Sequence, residues 1–121
     1  MNKLEFSANW NGKLFLDNFG TIRLHNTDKY QVDAQFEIYL KGIYLGVAKV
    51  VSVKSFLFEK IGDGLAYIDC GKNANYLKKI LRSFYNPLTN TTHFNHVVCQ
   101  YTDRNIEAFE SRLKEWWQNK I

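Results

Sequence analysis

Apolar side chains occupy every second position from Gln35 to Leu40, a pattern typical of a strand with one buried face. Lys41-Gly42 follows, and this pair can supply the positive φ of a two-residue hairpin turn. A longer strand-like run extends from Ile43 to about Phe56. The pattern therefore predicts an antiparallel hairpin of residues 35–40 and 43–54, within a barrel of five or six strands.

The second strand of this hairpin is apolar on both faces, because Ala48 and Val50 interrupt the alternation around Val47 and Val51. This indicates either that both faces are covered or that a bulge shifts the register. A long, bulged strand bends, and bent hairpins are how small barrels close. The predicted fold class is therefore α+β: a small bent antiparallel β-barrel with flanking helices.

Shorter strand-like runs occur at Leu4–Phe6, Thr21–Leu24 and Asn95–Tyr101. Gly62-Asp63-Gly64 and Gly71 bracket a segment that the glycines predict to be a loop.

Two segments have a helical apolar period. From Ala74 one face is apolar and the other basic, and Asn86-Pro87 is expected to end the helix. Asp103 is the expected N-cap of a C-terminal helix. The apolar stripe of that helix comprises Ile106, Phe109, Leu113, Trp116 and Trp117. We expect it to pack on the barrel or on a second copy of the chain, which would form a homodimer.

A length of 121 residues with 45% hydrophobic side chains predicts one domain with its own core. The net charge of +4 allows an anionic partner without requiring one. The first residues lack the apolar core of a leader, and no run approaches the ~20 apolar residues of a membrane span. Two cysteines are too few for a disulfide framework, so the expected location is the cytoplasm, away from membranes.

Several common chemical motifs are incomplete. His93, His96 and Cys99 have a metal-like spacing, but on a strand His96 points away from the other two, so no metal site is expected. Gly62-x-Gly64 lacks the third glycine of a dinucleotide loop, and no cofactor is expected. Ser111-x-x-Lys114 lies on a polar helix face without a nucleophile elbow.

Thr21 and Arg23 share one side of a predicted strand. A guanidinium beside a hydroxyl can recognise an anion or a nucleobase, although an exposed pair on a sheet surface has the same spacing.

These residues resemble the ASCH family of PUA-like β-barrels. Thr21 and Arg23 match the end of its Gly-x-Lys-Thr-x-(Thr or Glu)-x-Arg motif, and Tyr30 and Val32 match its Tyr-x-Val-Gly-Asp motif. The hairpin, Asp69 in the acidic loop, the helix at 77–85 and the last strand follow in the family's order. The resemblance covers about residues 14–101, with 102–121 as an added C-terminal helix, in one domain spanning 1–121.

The resemblance implies a cleft between barrel and helix that binds RNA, a nucleotide or a modified nucleoside. The expected ligand-binding residues are Asn18, Thr21, Arg23 and Asp69, with Tyr30, Tyr39 and Tyr67 as the candidates to stack on a base. The leading hypothesis is an RNA- or nucleotide-binding module. The alternative is an amidohydrolase of a modified nucleoside such as acetylated cytidine, with Thr21 and Asp69 as catalytic residues. A third hypothesis is a protein-interaction domain that presents the C-terminal helix.

One branch of the family uses a Thr, a Lys and a Glu for hydrolysis. Asn18 stands where that lysine is expected, and an amide cannot accept a proton near neutral pH. Efficient hydrolysis is therefore not expected unless Lys13, Lys49 or Lys54 reaches the cleft from another element.

Overall fold

The computed structural model describes residues 1–111, apart from the side chains of residues 10 and 11. Within this part, the strands are β1 (Asn2–Phe6), β2 (Asn18–Leu24), β3 (Gln35–Leu40), β4 (Ile43–Leu57) and β5 (His93–Arg104). The helices are α1 (Asp63–Cys70), α2 (Ala74–Phe84) and α3, which is described over 106–111. Short 3₁₀ helices span Trp10–Phe15 and Phe58–Lys60. None of the helices in residues 1–111 has the length and apolar character of a membrane span.

The five strands form one curled sheet in the order β1-β3-β4-β5-β2. The predicted bent sheet in a mixed α+β chain is confirmed, but two details are wrong. First, β1 runs parallel to β3, whereas the other pairs are antiparallel. Second, the barrel is open, because no backbone ladder in the described chain joins β1 to β2.

Side chains bridge the two edges where the backbone does not. Arg23 Nη2 on β2 donates to the Glu5 carbonyl oxygen on β1 over 3.0 Å. The rings of Phe6 and Phe19 meet edge to face at 5.9 Å. We call this junction the seam, defined by residues 4–6 of β1 and 19–23 of β2. The molecule is therefore a half-barrel that side chains, and not hydrogen-bonded strands, hold at the seam.

The predicted hairpin is confirmed, with β3 paired to β4 around a two-residue turn. Lys41 and Gly42 adopt left-handed φ angles of 51° and 80°, as this turn type requires. The expected irregularity of β4 is also present: the β4–β5 register shifts between Val47 and Ala48 and again between Val50 and Ser52. These bulges bend β4 and produce the curl of the sheet.

Two apolar clusters cover opposite faces of the sheet. The first cluster includes Phe36, Ile38 and Leu45. The second cluster includes Phe94 of β5 and side chains of helices α1 and α2, such as Leu77. Alternate residues of β2 belong to different sides, so Phe19 joins the first cluster and Ile22 the second.

Two sequence-based assignments near the helices are wrong. The segment predicted as a loop is helix α1, which buries Ala66, Asp69 and Cys70 and ends at Gly71 with a left-handed φ of 76°. Asp103 is not an N-cap, because β5 continues to Arg104 and α3 begins afterwards. Asn105 takes that position, where its carbonyl oxygen accepts from the Phe109 amide over 3.0 Å.

The described start of α3 packs against strand β5 and the first 3₁₀ helix. Phe109 meets the ring of Phe15 at 5.5 Å and that of Tyr101 at 5.2 Å. The predicted contacts of Leu113, Trp116 and Trp117 lie outside the described residues.

Candidate functional site

A cavity of about 620 Å³ opens at the seam, between β1, β2, α1 and α2. Small-molecule sites usually occupy roughly 300–1,000 Å³. The lining residues are Glu5, Phe6, Ser7, Ala8, Lys13, Thr21, Ile22, Arg23, Lys41, Gly42, Asp69, Cys70, Leu77, Ile80, Leu81, Phe84 and Tyr85. The sheet, the first 3₁₀ helix and the end of α1 supply the polar lining, and α2 supplies a largely apolar wall.

Buried polar side chains are concentrated at this cavity. Among the described residues, four polar or charged residues are buried: Lys13, Thr21, Asp69 and Asn95. The first three line the cavity. Asn95 lies elsewhere and is explained by its own hydrogen bonds to His25, Ser55 and the Asn26 amide. Because burying polar groups costs free energy, three of them in one cavity indicate a functional site.

Lys13 is held in place by the short 3₁₀ helix that carries it. The amide of the next residue, Leu14, donates to Asn9 Oδ1 over 2.8 Å, and the Leu14 carbonyl oxygen accepts from the Tyr101 hydroxyl over 2.8 Å. The Leu14 side chain is fully buried in the core. This anchoring directs Lys13 to the inside of the molecule, although lysine is usually exposed.

Asp69 comes from the last turn of α1, between the buried face that carries Ala66 and Cys70 and the cavity. Lys13 Nζ donates to Asp69 Oδ1 over 3.0 Å, and the two side chains are only 7% and 8% exposed. A buried ion pair recovers its desolvation cost only with good geometry, and apolar replacements are often more stable. The pair is therefore better explained by chemistry in the cavity than by stability.

Thr21 and Arg23 form the other polar contact of the cavity. Arg23 Nε donates to Thr21 Oγ1 over 3.1 Å, while Nη2 spans the seam to the Glu5 carbonyl oxygen. The guanidinium lies 4.7 Å from the centre of the Phe6 ring, a cation–π contact that fixes its plane. Lys13 Nζ is 5.9 Å from the same ring centre, so both cationic groups lie close to Phe6.

Helix α2 provides the opposite wall. Leu77 and Leu81 are buried, whereas Phe84 lies at the rim with 60% of its surface exposed. An apolar wall that faces hydroxyl, ammonium, carboxylate and guanidinium groups suits a ligand with a flat, apolar ring and polar substituents.

His96 lies outside the polar lining of the cavity, on the face of β5 that packs over Gly20 of β2. Its Nε2 is buried and has no hydrogen-bond partner in the described chain. Burial lowers the pKa of His96, and the nearby Asp69 charge opposes this only in part. The ring does not line the cavity, but its charge would act on the Lys13–Asp69 pair.

The structure brings together only some of the predicted site residues. Thr21, Arg23 and Asp69 meet at the cavity. The following predicted residues do not line it: Asn18 is exposed at the start of β2, Tyr30 is buried against Phe36, Tyr39 packs at a tilt against Tyr44, and Tyr67 is exposed on α1.

Lys13 is the main residue that the sequence motif did not place. The sequence predicts weak hydrolysis unless Lys13, Lys49 or Lys54 reaches the cleft from another element, and of these three Lys13 lines the cavity. One local feature of the sequence could have indicated that Lys13 is buried. It follows Gly12 and precedes two apolar residues, so it is the one charged residue in a short apolar run. The rim residues Ser7, Lys41 and Phe84 had no comparable signal, because they come from three separate elements.

No protein-family model and no curated protein matches this sequence. The fold does have a counterpart. It is similar to the crystal structure of protein EF3133 from Enterococcus faecalis V583, which carries the family designation DUF984. The TM-score is 0.61 at 12% sequence identity, over 91% of this chain and 82% of that one. At this identity the likeness is one of fold, so the ASCH resemblance stays a prediction.

Proposed function

We propose that the cavity binds a nucleoside or nucleotide and hydrolyses an amide on it, as in acetylated cytidine, and that the chain belongs with the PUA-like ASCH proteins. The observation that carries this proposal is that Thr21, Lys13 and Asp69 line one cavity of ligand size. They are the residue types of the hydrolytic branch, with aspartate in place of glutamate and the lysine drawn from a different element.

In the proposed reaction, Thr21 Oγ1 attacks the amide carbonyl carbon. Arg23 Nε donates to this oxygen and so favours its ionised form. Asp69 accepts the threonine proton, and Lys13 donates a proton to the amine nitrogen as the C–N bond breaks. Water then cleaves the acyl ester: its OH joins the acyl carbon, its remaining proton restores the Thr21 hydroxyl, and a carboxylic acid is released. The proton held by Asp69 passes back to Lys13, which restores the ion pair.

Binding without turnover is the second candidate, and a specific contact favours it. Within the described chain, the hydrogen-bond partner of Thr21 Oγ1 is Arg23, which only donates. No base therefore contacts the hydroxyl directly, and proton transfer requires a small movement of the Lys13–Asp69 pair or a water molecule.

Incubation with acetylated cytidine, with release of cytidine as the readout, tests the proposed hydrolysis. Thr21→Ala should lower turnover by at least about 10²–10⁴-fold, the usual range for losing an activated group. Thr27→Ala, at an exposed threonine outside the cavity, is the matched control and should keep full activity. If turnover is absent but calorimetry detects acetylated cytidine or cytidine binding, the second candidate is correct.

A double substitution separates catalysis from folding. Lys13→Met with Asp69→Leu removes the buried pair without leaving one charge alone, so unfolding should occur at an equal or higher temperature. The same variant should lose hydrolysis. A stable double variant that still turns over acetylated cytidine would refute the roles given to Lys13 and Asp69.

A further inference from the structure

Among residues 1–111, no carboxylate forms an ion pair with Arg23 at the seam. Lys13 pairs with Asp69, and Arg104 pairs with Asp17 on another part of the surface. Arg23 is half buried, yet its described hydrogen bonds go only to neutral oxygens, those of Thr21 and the Glu5 backbone. A guanidinium carries five N–H donors, so three of them remain without a described hydrogen bond.

A second cation lies beside the same strand end. The Lys41 amide donates to the Phe6 carbonyl oxygen over 2.9 Å, while Arg23 donates to the carbonyl oxygen of the preceding residue, Glu5. Successive carbonyls of a strand point to opposite sides, so Arg23 and Lys41 flank the end of β1 from its two sides. Arg23 and Lys41 both line the cavity, and Ser7 lines it as well.

The lining also contains one acidic side chain at this end, Glu5. No cation of the described chain lies within ion-pair distance of its carboxylate, and the Lys13–Asp69 pair is neutral as a unit. The mouth therefore has two uncompensated cations against one carboxylate, and a partly desolvated arginine without a counter-ion gains from an added anion.

We propose that the end of β1 forms a subsite for a phosphate monoester, held by Arg23 and Lys41 with the Ser7 hydroxyl. This inference rests on the proposed function: it makes the preferred ligand a nucleotide with a terminal phosphate and not a neutral nucleoside. In this arrangement the base of the nucleotide lies against α2, and its phosphate lies at the seam, where the cavity opens to solvent. A phosphate monoester occurs both in a free mononucleotide and at the phosphorylated end of an RNA strand.

Calorimetric titration with the four common nucleosides and their 5′-monophosphates tests the subsite on the full chain. The preferred monophosphate should bind roughly 10- to 100-fold more tightly than its nucleoside, as expected for charged hydrogen bonds. Lys41→Gln and Arg23→Gln should each reduce this ratio, and Glu5→Gln should increase it. Lys60→Gln, at an exposed lysine outside the cavity, is the control and should leave the ratio unchanged.

The outcomes separate the subsite from the proposed function. Equal binding of nucleoside and monophosphate overturns the subsite and leaves the hydrolase proposal standing. If neither of them binds and inorganic phosphate does not bind either, both the subsite and the proposed function fail. If inorganic phosphate binds in an Arg23- and Lys41-dependent way but no nucleoside or nucleotide does, the subsite holds and the proposed function fails. A 5′-phosphorylated RNA oligomer compared with its 5′-hydroxyl form shows whether the phosphate belongs to an RNA end or a mononucleotide.

Discussion

Gly20 and His96 show how one missing side chain shapes the region behind the site. The imidazole of His96 lies over Gly20, where a Cβ would overlap Nε2. The backbone of Gly20 is not in the left-handed region, so glycine is needed here for space and not for conformation. Gly20 directly precedes Thr21, and any displacement of this strand would therefore move the hydroxyl.

Gly20→Ala should destabilise the protein by about 1–3 kcal/mol, the usual cost of overpacking. His96→Ala removes the overlapping ring, so the double variant should lose less stability than the sum of the two single changes. Urea unfolding of the four proteins measures this coupling. Additive effects would mean that the ring moves aside freely and that Gly20 is not required by His96.

His96 should also make stability depend on pH. Burial lowers its pKa in the folded protein, while Asp69 raises it and Lys13 and Lys54 lower it further. The unfolded chain, with an ordinary pKa of about 6.5, then binds more protons than the folded chain in the interval below that value. The stabilising contribution of neutral His96 is therefore complete above pH ~6.5 and is lost as the pH falls through the lower folded pKa.

The measurement is the free energy of unfolding between about pH 7.5 and 5. His96→Gln should show a smaller loss on acidification than the native chain, because glutamine does not titrate. His93→Gln, which alters an exposed histidine on the same strand, is the control and should keep the native slope. An unchanged slope in His96→Gln would contradict the effect of burial.

At the scale of elements, strand β4 depends on Gly46. This residue has a φ of 145°, which favours glycine, and a Cβ there would overlap the backbone oxygen of Asp103 on β5. Gly46 lies just before the first register shift of the β4–β5 ladder. The close approach lets the strands remain paired where the bulge turns the sheet.

Gly46→Ala should cost about 2–4 kcal/mol, from backbone strain together with overlap against a rigid neighbour. Gly64→Ala is a matched control inside α1: its added methyl would meet open space, and its φ is not positive. That substitution should be neutral or stabilise by up to about 1 kcal/mol. Thermal unfolding of both variants checks the contrast, and similar effects would show that the bulge tolerates a side chain.

Helix α1 illustrates why local signals fail in a short element. Its N-cap is Gly62, with no side-chain hydrogen bond, and glycines flank its first residue. A helix of eight residues is marginal alone, so its stability comes from the packing of Ala66 and Cys70 against the second apolar cluster. Asp63 Oδ1 also accepts from the Ala74 amide over 2.8 Å, which ties α1 to the start of α2.

At the scale of the whole molecule, the curled sheet should have a stable centre and weaker edges. Strand β5 pairs with β4 on one side and β2 on the other, whereas within residues 1–111 β1 pairs only with β3. The seam has side-chain contacts in place of a ladder. Local opening should therefore require the least free energy at β1 and the most at β5.

Amide hydrogen exchange followed by NMR or mass spectrometry would map this order. Among strand amides, those of β5 around Val97 and Cys99 should exchange most slowly and those of β1 fastest. Ligand binding at the seam should slow exchange in β1 more than in β5. Uniform protection across β1 and β5 would indicate that the half-barrel opens only as one cooperative unit.

The sequence by itself determined the local elements of this protein. Alternation over residues 35–40, the Lys41-Gly42 turn and the helical period after Ala74 each depend on neighbours a few residues apart, and the structure has all three. It also placed Thr21 and Arg23 on one side of a strand, where the two side chains do hydrogen-bond. Such features follow from backbone periodicity, which the order of residues contains directly.

Only the tertiary structure decided which elements meet. Lys13 and Asp69 are 56 positions apart and form one buried ion pair, and no local period links them. The parallel pairing of β1, the open seam and the helix at Asp63–Cys70 likewise depend on long-range packing. Tyr30, Tyr39 and Tyr67 matched a stacking role by residue type, yet none of the three lines the cavity, because curvature and register determine which side chains reach it.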